Sequence, residues 1–209
     1  MTASLIGVTA KGLRARQAEA TRELLVATAR DVFTERGYAA TSIDDIVQRA
    51  GVAKGSLYHH FDGKEAIFRA VYESVQAEAV AGVMAAALVA REPWAVVRAG
   101  LAAFLDACLQ PSFRRIVVLD SISVLQHQAL EGGLEPGELP MLRTVLTPLV
   151  AAELLPGVGT EPLAHVSLGG LYGAALYIAR AGQPEAARLE INAVLDAIVE
   201  GLRGTAGAR

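Results

Sequence analysis

Apolar side chains recur at intervals of three and four residues along most of this chain, which is the pattern of helices with one buried face. The pattern predicts a first helix over residues 21–36, with an inner stripe of Leu25, Ala29, Val32 and Phe33. Residues 1–20 sustain no such period and contain Gly7 and Gly12, so we expect them to form a flexible, mildly cationic arm.

Two short helices joined by a tight turn are predicted over residues 43–50 and 54–61. Ser42 can cap the first of them, and Asp45 three positions later completes a Ser-x-x-acid capping box. Gly51 permits the left-handed backbone conformation that ends a helix. In the second helix, Leu57 and Phe61 are four residues apart and can both point inward. Its remaining side chains would therefore face outward.

The rest of the chain is predicted to be helical as well. Helices are expected over residues 64–90, 93–110, 113–129 (one kinked or two short), 142–155, 162–181 and 184–202, with a loop at 131–140. No Gly/Ser-rich linker precedes the long helix at 64–90, so that helix would join two domains. The predicted fold is all-α, with a three-helix N-terminal domain at residues 21–66 and a larger helical domain at 67–204.

Composition supports a compact helical protein and indicates its surroundings. Hydrophobic residues form 53% of the 209-residue chain and charged residues 20%, and aromatic residues are few. Cys108 is the only cysteine, so no internal disulfide is possible and we expect a reducing, cytoplasmic location. We expect no signal peptide. The longest stretch without formal charge, residues 162–179, contains a histidine, two tyrosines and three glycines, so it reads as a buried helix and not as a membrane span.

The formal net charge of −3 is unevenly distributed, since residues 1–65 carry nine Lys or Arg against eight acids and the remainder carries ten against fourteen. Neither part is strongly basic, so binding to nucleic acid would depend on the placement of particular side chains. The outward face of the helix at 54–61 has no acid, and Gly55 would let a foreign backbone approach it. Its polar groups suit phosphate oxygens and base edges in a major groove of DNA. They belong to Lys54, Ser56, Tyr58 and His60.

Residues 21–73 carry a set of residue types at fixed spacing. The set is Ala29, Phe33, Gly37, Thr41, Ile46, Ala50-Gly51-Val52, Gly55-Ser56-Leu57-Tyr58, Phe61 and Lys64-Glu65. In this set the chain resembles the DNA-binding domain of the tetracycline-repressor (TetR-like, AcrR-type) transcriptional regulators. That family often has Ser or Thr where this chain has Ala53, and the difference weakens the N-terminal cap of the second short helix.

The resemblance implies a ligand-responsive DNA-binding regulator, a repressor that binds a pseudo-palindromic operator as a homodimer and is released by a small-molecule effector. Lys54 is expected to read bases, because lysine can donate to guanine O6 and N7. The arm at residues 1–20 is either a solvated tail or an extension that enters a minor groove. We expect Lys54, Gly55, Ser56, Tyr58 and His60 to lie nearest the DNA, and Thr41, Ser42, His59 and Lys64 to hold phosphates.

The resemblance also implies a mostly apolar effector cavity and a dimer interface in the larger domain. The cavity is expected to be lined by Trp94, Leu101, Leu105, Ile116 and Asp120. Several polar residues interrupt apolar runs there and are exposed, hydrogen-bonded within the fold or directed at a ligand: Asp106, Asp120, Ser121, Ser123, Gln126 and His127. The last two helices would form a four-helix dimer interface, although part of their apolar stripe must be intrachain core. Its residues are predicted to be Leu168, Leu171, Tyr172, Ala175, Ile178, Val194 and Ile198.

Enzymatic function is not indicated by the sequence. The chain lacks a glycine-rich phosphate loop, a nucleophile elbow and Cys/His metal spacing, so we expect no catalytic site, no metal and no cofactor. His59 and His60 are neighbours on a helix and face different directions, which argues against a metal site with Asp62. The alternative function is a helical dimeric scaffold for another protein, or an orphan enzyme, in which the DNA-binding head is vestigial.

Overall fold

The computed structural model describes residues 10–130 and 138–206, and all regular secondary structure in these two ranges is helical. The predicted all-α fold class is therefore confirmed. The chain divides into two compact units, Met1–Val71 and Tyr72–Arg209. The helices are α1 (Ala10–Arg36), α2 (Ile43–Ala50), α3 (Lys54–His60), α4 (Lys64–Val89), α5 (Pro93–Leu109), a π-helix (Phe113–Asp120), α6 (Ser121–Leu130), α7 (Glu138–Ala151), α8 (Thr160–Arg180) and α9 (Pro184–Ala206). Both this division and the predicted boundary after residue 66 fall within α4.

The first helix is longer than the sequence predicted. It begins at Ala10 and not near Thr21, so residues 10–20 of the predicted flexible arm are helical. The physical reason is that Leu, Arg, Gln, Ala and Glu dominate this stretch and favour helix enough to outweigh Gly12. Residues 1–9 of the predicted arm lie outside the described residues. The predicted end of the helix is confirmed, because α1 stops at Arg36 and Gly37 follows with a φ of 77°.

The first unit has a small core where α1, α2 and α3 pack together. Phe33 of α1 meets Phe68, in the first part of α4, edge to face with ring centroids 5.1 Å apart. On the surface, Arg49 of α2 forms two hydrogen bonds of 2.6 and 2.8 Å to the Glu35 carboxylate of α1. The hydrogen bond from Arg49 is the main reason that the pKa of Glu35 lies below its ordinary value.

The helices of the second unit begin close to where the sequence predicted, with one clear exception. Pro93 occupies the first turn of α5, and the Glu92 side chain accepts a 3.0 Å hydrogen bond from the backbone N–H of Ala95. The predicted kinked or double helix after Pro111 is confirmed as a π-helix followed by α6. The exception is α7, which begins at Glu138 and not at Leu142, because Leu139 extends its apolar face inward. Residues 131–137 of the predicted loop lie outside the described residues.

The core of the second unit lies between α5, α7 and α8. Cys108 is fully buried, and burial raises the pKa of its thiol to about 12. One described helix, α8, is long and apolar enough to cross a membrane by length and composition alone. A core helix of a soluble protein meets the same criteria, and α8 packs against α5, α7 and α9.

Candidate nucleic-acid interface and ligand cavity

The short helix α2 is fixed at both ends by the residues that the sequence indicated. Ser42 Oγ accepts a 3.1 Å hydrogen bond from the backbone N–H of Asp45, and Asp45 Oδ2 accepts a 2.8 Å bond from the backbone N–H of Ser42. The Ser42 hydroxyl also donates to Asp45 Oδ2 at 2.5 Å, and its hydrogen bond is the largest cause of the lowered pKa of Asp45. Gly51 ends α2 with a φ of 68° and a ψ of 29°. The hydroxyl of Ser42 is thus engaged within the fold and is not a free phosphate ligand, which corrects its predicted role.

Helix α3 presents most of its side chains to solvent. Leu57 is fully buried and anchors the helix, as predicted, and Phe61 is buried just beyond its end. Tyr58 is 51% exposed, and a Cβ added at Gly55 would meet no atom within 4 Å. The structure therefore brings the predicted surface together on one helix: Lys54, Gly55, Tyr58 and His59 are exposed, and Ser56 and His60 are half-buried.

The ammonium of Lys54 has an acidic partner that the sequence analysis missed. Its Nζ lies 2.8 Å from Oδ1 and 3.1 Å from Oδ2 of Asp44, on the preceding helix. The hydrogen bond that Lys54 donates to Asp44 is the main cause of the raised pKa of Lys54. The ten-residue separation in sequence gives no hint of this pair, because only the turn between α2 and α3 brings the two side chains together. Asp44 therefore masks the cation of α3 in the free protein.

Two predicted phosphate contacts have structural roles instead. Thr41 is 2% exposed, and its hydroxyl donates a 2.7 Å hydrogen bond to the carbonyl oxygen of Gly37. Lys64 Nζ donates 3.0 Å hydrogen bonds to the carbonyl oxygens of both Tyr38 and Thr41. These bonds satisfy backbone groups in the loop between α1 and α2. The buried Thr41 is therefore not available to a phosphate, whereas the assignment of the part-buried Lys64 to phosphate binding stays a prediction.

The second unit contains a cavity of about 540 Å³ with mostly apolar walls. Its size is typical of pockets for drug-sized ligands. It is lined by residues from α4, α5, the π-helix, α6, α7 and α8, among them Val80, Val83, Phe104, Phe113, Val117, Leu125, Met141 and Leu168. Ser121, one of the polar residues singled out in the sequence, also lines it, but its hydroxyl donates a 2.6 Å hydrogen bond to the carbonyl oxygen of Val117.

One part of the cavity wall is polar, and the sequence analysis did not identify it. Gln76 is 4% exposed, and its Nε2 has no hydrogen-bond partner among the described residues. Burial raises the pKa of Tyr72 to about 12 and also raises the pKa of Glu138. The Gln76 amide lies close enough to both groups to favour their charged forms, yet outside hydrogen-bonding geometry. Gln76 and Tyr72 sit in an apolar helical period and Glu138 in a loop-like composition, so no sequence signal marked them.

The predicted ligand residues are only partly at a cavity. Trp94 and Leu101 line a second cavity of about 420 Å³ in the same unit. Leu105 and Ile116 are fully buried and line neither cavity, because neighbouring helices cover them. Asp120 also lines neither cavity, and its Oδ2 accepts a 3.2 Å hydrogen bond from Nε of Arg115. The assignment of these last three residues to the ligand site is therefore wrong.

The other polar residues that interrupt apolar runs have local partners or lie outside the description. The exposed Asp106 accepts two hydrogen bonds from Arg188, at 2.6 and 3.0 Å. The Ser123 hydroxyl donates to the carbonyl oxygen of Asp120 at 3.0 Å. The side chains of Gln126 and His127 lie outside the described residues.

Helices α8 and α9 carry an exposed apolar face, but it differs from the predicted one. Ala175 and Ile178 are buried within the chain, and Leu168, Leu171, Tyr172 and Ala175 line the larger cavity. The predicted interface roles of Ala175 and Ile178 are therefore wrong, because one turn of α8 cannot face both its own core and a partner. Of the predicted residues, Tyr172, Val194 and Ile198 do remain exposed, as do the unpredicted Val166, Tyr177 and Leu189. A Cβ added at Gly169, Gly170 or Gly173 would meet nothing within 4 Å.

Both units match known protein families. Residues 25–71 match the family described as bacterial regulatory proteins, tetR family, and residues 94–202 match the tetracyclin repressor-like C-terminal domain. A crystal structure of a TetR-family transcriptional regulator from Pectobacterium atrosepticum has 33% identity and a TM-score of 0.77, covering 90% of this chain and 96% of that one.

Two further proteins are similar to this chain, one in part of its sequence and the other in its fold. The HTH-type transcriptional activator FasR of Mycolicibacterium smegmatis is 38% identical over 96 residues, which are 46% of this chain and 43% of FasR. The chain thus matches less than half the length of that relative. The regulator FadR of Bacillus subtilis, solved with stearoyl-CoA, has 17% identity and a TM-score of 0.68, covering 86% of this chain and 96% of that one. At that identity the likeness shows the fold alone.

The matched regions coincide with the elements described above. The N-terminal match spans the C-terminal part of α1, the capped helix α2, the exposed helix α3 and the first part of α4. The C-terminal match spans most of α9 and the lining of both cavities except the part contributed by α4. From these matches and the helix-turn-helix geometry, the chain belongs to the TetR family of bacterial regulatory proteins.

Proposed function

We propose that this chain is an effector-responsive transcriptional repressor that binds a pseudo-palindromic operator as a homodimer. The observation that carries the proposal is the exposed face of α3. Leu57 is the fully buried residue that anchors that helix in the core, whereas Lys54, Gly55 and Tyr58 are exposed in the free chain. A short helix held rigidly by its neighbours, with polar groups outward, is the geometry of a recognition helix in a major groove.

The contacts to DNA are proposed to come from α3 and its immediate surroundings. Lys54 leaves Asp44 and donates to a base edge or a phosphate, while Tyr58 and His59 contact the backbone on either side. Ser42 and Lys64 act indirectly, because they fix α2 and the loop before it. His60 and Ser56 are half-buried and support the surface from below.

Dimerisation is proposed to use the exposed apolar face of α8 and α9. Val166, Val194 and Ile198 are all more than half exposed in the single chain. The adjacent glycines leave room for a partner helix to approach closely. Two copies joined in this way would present two recognition helices to half-sites about one turn of DNA apart.

The effector is proposed to enter the 540 Å³ cavity of the second unit. Tyr72, Gln76 and Val83 line that cavity and lie on α4, the same helix whose first residue is Lys64. An effector that binds one conformation of this wall better than another shifts the population of operator-binding dimers. Coupling of about 1–3 kcal/mol is usual for such regulation. Cys108 is buried and burial raises the pKa of its thiol, so we expect no thiol switch in this protein. We propose a cytoplasmic location from the family.

The decisive experiment is selection of bound DNA from a random pool by the full chain, with and without a metabolite library. A repressor of this kind enriches a two-fold symmetric sequence, and one or more compounds abolish the enrichment. Failure to enrich any sequence would favour the alternative of a helical scaffold for another protein.

A further inference from the structure

The larger cavity contains one buried hydrogen-bond donor without a partner. Among the described residues, the buried side-chain polar atoms that lack a partner are Nε2 of Gln76 and Oγ1 of Thr34, and only Gln76 lines the cavity. An unpaired buried donor is costly to keep. Tyr72 and Glu138 lie on the same wall, but Nε2 of Gln76 makes no hydrogen bond to either of them, so a bound molecule with an acceptor atom would gain this hydrogen bond.

The other polar groups of the wall are less available. The Ser121 hydroxyl already donates to the carbonyl oxygen of Val117, and Nδ1 of His165 lies 3.0 Å from the carbonyl oxygen of Glu161. The hydroxyls of Tyr72 and Tyr172 also line the cavity. Gln76 differs from them in being the lining residue whose buried side-chain donor has no partner among the described residues.

The charge of the wall restricts what that ligand can be. Glu138 contributes a carboxyl group close to Gln76, and none of the described residues that line the cavity is Lys or Arg. Where Glu138 is ionised, a carboxylate or phosphate bound to Gln76 would face a like charge in a surrounding of low polarity, and the His165 imidazole of the wall already lies 3.0 Å from the carbonyl oxygen of Glu161. An uncharged acceptor does not meet this penalty.

We propose that the cavity binds an uncharged, largely apolar molecule whose carbonyl oxygen accepts a hydrogen bond from Gln76, and that Glu138 excludes carboxylates. This inference rests on the proposed function only in taking the cavity as the effector site. Glu138 is then a specificity residue that acts by repulsion and not by contact with the favoured ligand.

Two probes of matched chain length test the inference on the full-length protein. Calorimetric titration at neutral pH with 2-decanone and with decanoate compares a ketone and a carboxylate. We expect the ketone to bind at least about tenfold more tightly than the carboxylate. In a poorly solvated site, the repulsion between two like charges is larger than the free energy gained from one hydrogen bond. Tighter binding of decanoate, equal binding of both, or binding of neither would overturn the inference.

Three variants assign the effect to the named residues. Gln76→Leu should weaken binding of 2-decanone about tenfold, and Glu138→Gln should strengthen binding of decanoate by a similar factor. Ser123→Ala is the matched control, because it removes a hydroxyl that already has a partner and does not line the cavity, and it should change either affinity by less than about twofold. Equal losses in Gln76→Leu and Ser123→Ala would contradict the assignment. The comparison of the two probes on the unmodified chain remains decisive if a variant does not fold.

A mobility shift with the selected operator separates this inference from the proposed function. Binding of 2-decanone through Gln76 without any change in operator affinity would support the site and refute the effector response. Operator release by other compounds that do not compete with 2-decanone would support the proposed effector response and refute Gln76 as part of the effector site.

Discussion

The ammonium of Lys64 donates a 3.0 Å hydrogen bond to the carbonyl oxygen of Tyr38 and lies 4.1 Å from the centroid of the same residue's ring. A second 3.0 Å bond reaches the carbonyl oxygen of Thr41. One side chain thus fixes both ends of the loop between α1 and α2 to the first turn of α4. The ring of Tyr38 also packs against Phe68, with centroids 5.0 Å apart, so the loop is joined to the core of the first unit.

Substitution Lys64→Met should destabilise the first unit without removing a DNA contact. It keeps the aliphatic stem but leaves two carbonyl oxygens without their charged donor, and it removes a cation–π contact. We expect a loss of about 1–3 kcal/mol in the free energy of unfolding, measured by urea denaturation. The control is Arg69→Met on the same helix, which breaks only an exposed 3.3 Å ion pair with Glu65 and should cost less than about 1 kcal/mol.

The same variant distinguishes the structural role of Lys64 from the phosphate contact that the sequence suggested. A phosphate contact predicts unchanged stability, weaker binding to every DNA sequence and a salt dependence lower by about one unit. That combination of results would contradict the role assigned here.

Loss of the ion pair between Asp44 and Lys54 should strengthen DNA binding. Substitution Asp44→Asn frees the Lys54 ammonium and removes a negative charge beside the DNA-binding face. Affinity for operator DNA should rise about threefold to tenfold at low salt, and the gain should shrink as salt increases. Fluorescence anisotropy with labelled operator measures both effects.

The matched control for that variant is Asp31→Asn, which changes the net charge equally at an exposed position on α1. It should alter DNA affinity by less than about twofold, since long-range charge effects are screened. Weaker DNA binding by Asp44→Asn would mean that the ion pair positions Lys54 for DNA and does not mask it.

Substitution of two glycines of the helix-turn-helix by alanine should have different effects on stability. Gly51 has a φ of 68°, so Gly51→Ala should cost about 1–2 kcal/mol of stability. Gly55 lies in α3 with open space around it, so Gly55→Ala should leave stability unchanged or raise it by up to about 1 kcal/mol.

If the DNA backbone approaches α3 at Gly55, the Gly55→Ala variant should weaken operator binding about tenfold. Undiminished binding by the stable Gly55→Ala protein would show that α3 does not approach DNA there.

Local signals in the sequence were sufficient for the helix-turn-helix. Ser42 and Asp45 form the predicted capping box, Gly51 takes the predicted left-handed conformation and Leu57 is the predicted anchor. Each of these depends on residues within four positions of one another, where backbone geometry alone decides the contact. The start of α1 at Ala10 could not be predicted from Gly12, because the helix propensity of the surrounding residues outweighs the cost of one glycine.

The cavity could not be predicted in the same way. Gln76 and Glu138 are 62 positions apart in sequence, and only the packing of α4 against the rest of the second unit brings them to one wall. An apolar stripe shows which face of a helix is buried, but not whether that face meets a neighbour or an empty space. Leu105 and Ile116 therefore looked like cavity residues although other helices cover them.

Burial of Glu138 predicts a stability that depends on pH. Its pKa in the folded protein is raised above the ordinary 4.5, so the carboxyl is neutral in both states below that value. As pH rises through the raised pKa, the native state must bury a charge and loses stability relative to Glu138→Gln. The melting temperature of Glu138→Gln should therefore match the unmodified protein at acidic pH and exceed it at neutral pH.

Glu161 is the control for that experiment, because its environment shifts its pKa in the other direction. Arg143 donates two hydrogen bonds to it, at 2.6 and 2.7 Å, and these are the main cause of its lowered pKa. The stability it contributes is present above its ordinary pKa and is lost as pH falls. Glu161→Gln should therefore be the less stable protein at neutral pH, with the difference disappearing in acid. The same pH dependence in both variants would contradict the buried position of Glu138.

The exposed face of α8 and α9 predicts how the oligomer can be disrupted. Ile198 is 52% exposed in the single chain, so Ile198→Asp should leave the fold intact. Inside a dimer interface the new carboxylate would be desolvated without a partner, which raises the dissociation constant by about a hundredfold or more. Sedimentation velocity should show a dimer for the unmodified chain and a monomer for the variant.

An equally exposed apolar residue elsewhere separates an interface effect from a general effect of added charge. Leu24 on α1 is 46% exposed, and Leu24→Asp should sediment as a dimer. A monomeric Ile198→Asp protein should also lose operator affinity, although its recognition helix is unchanged, because a single half-site contributes only part of the binding free energy. A variant that stays dimeric, or a monomer that binds the operator as well as the dimer does, would contradict the proposed assembly on DNA.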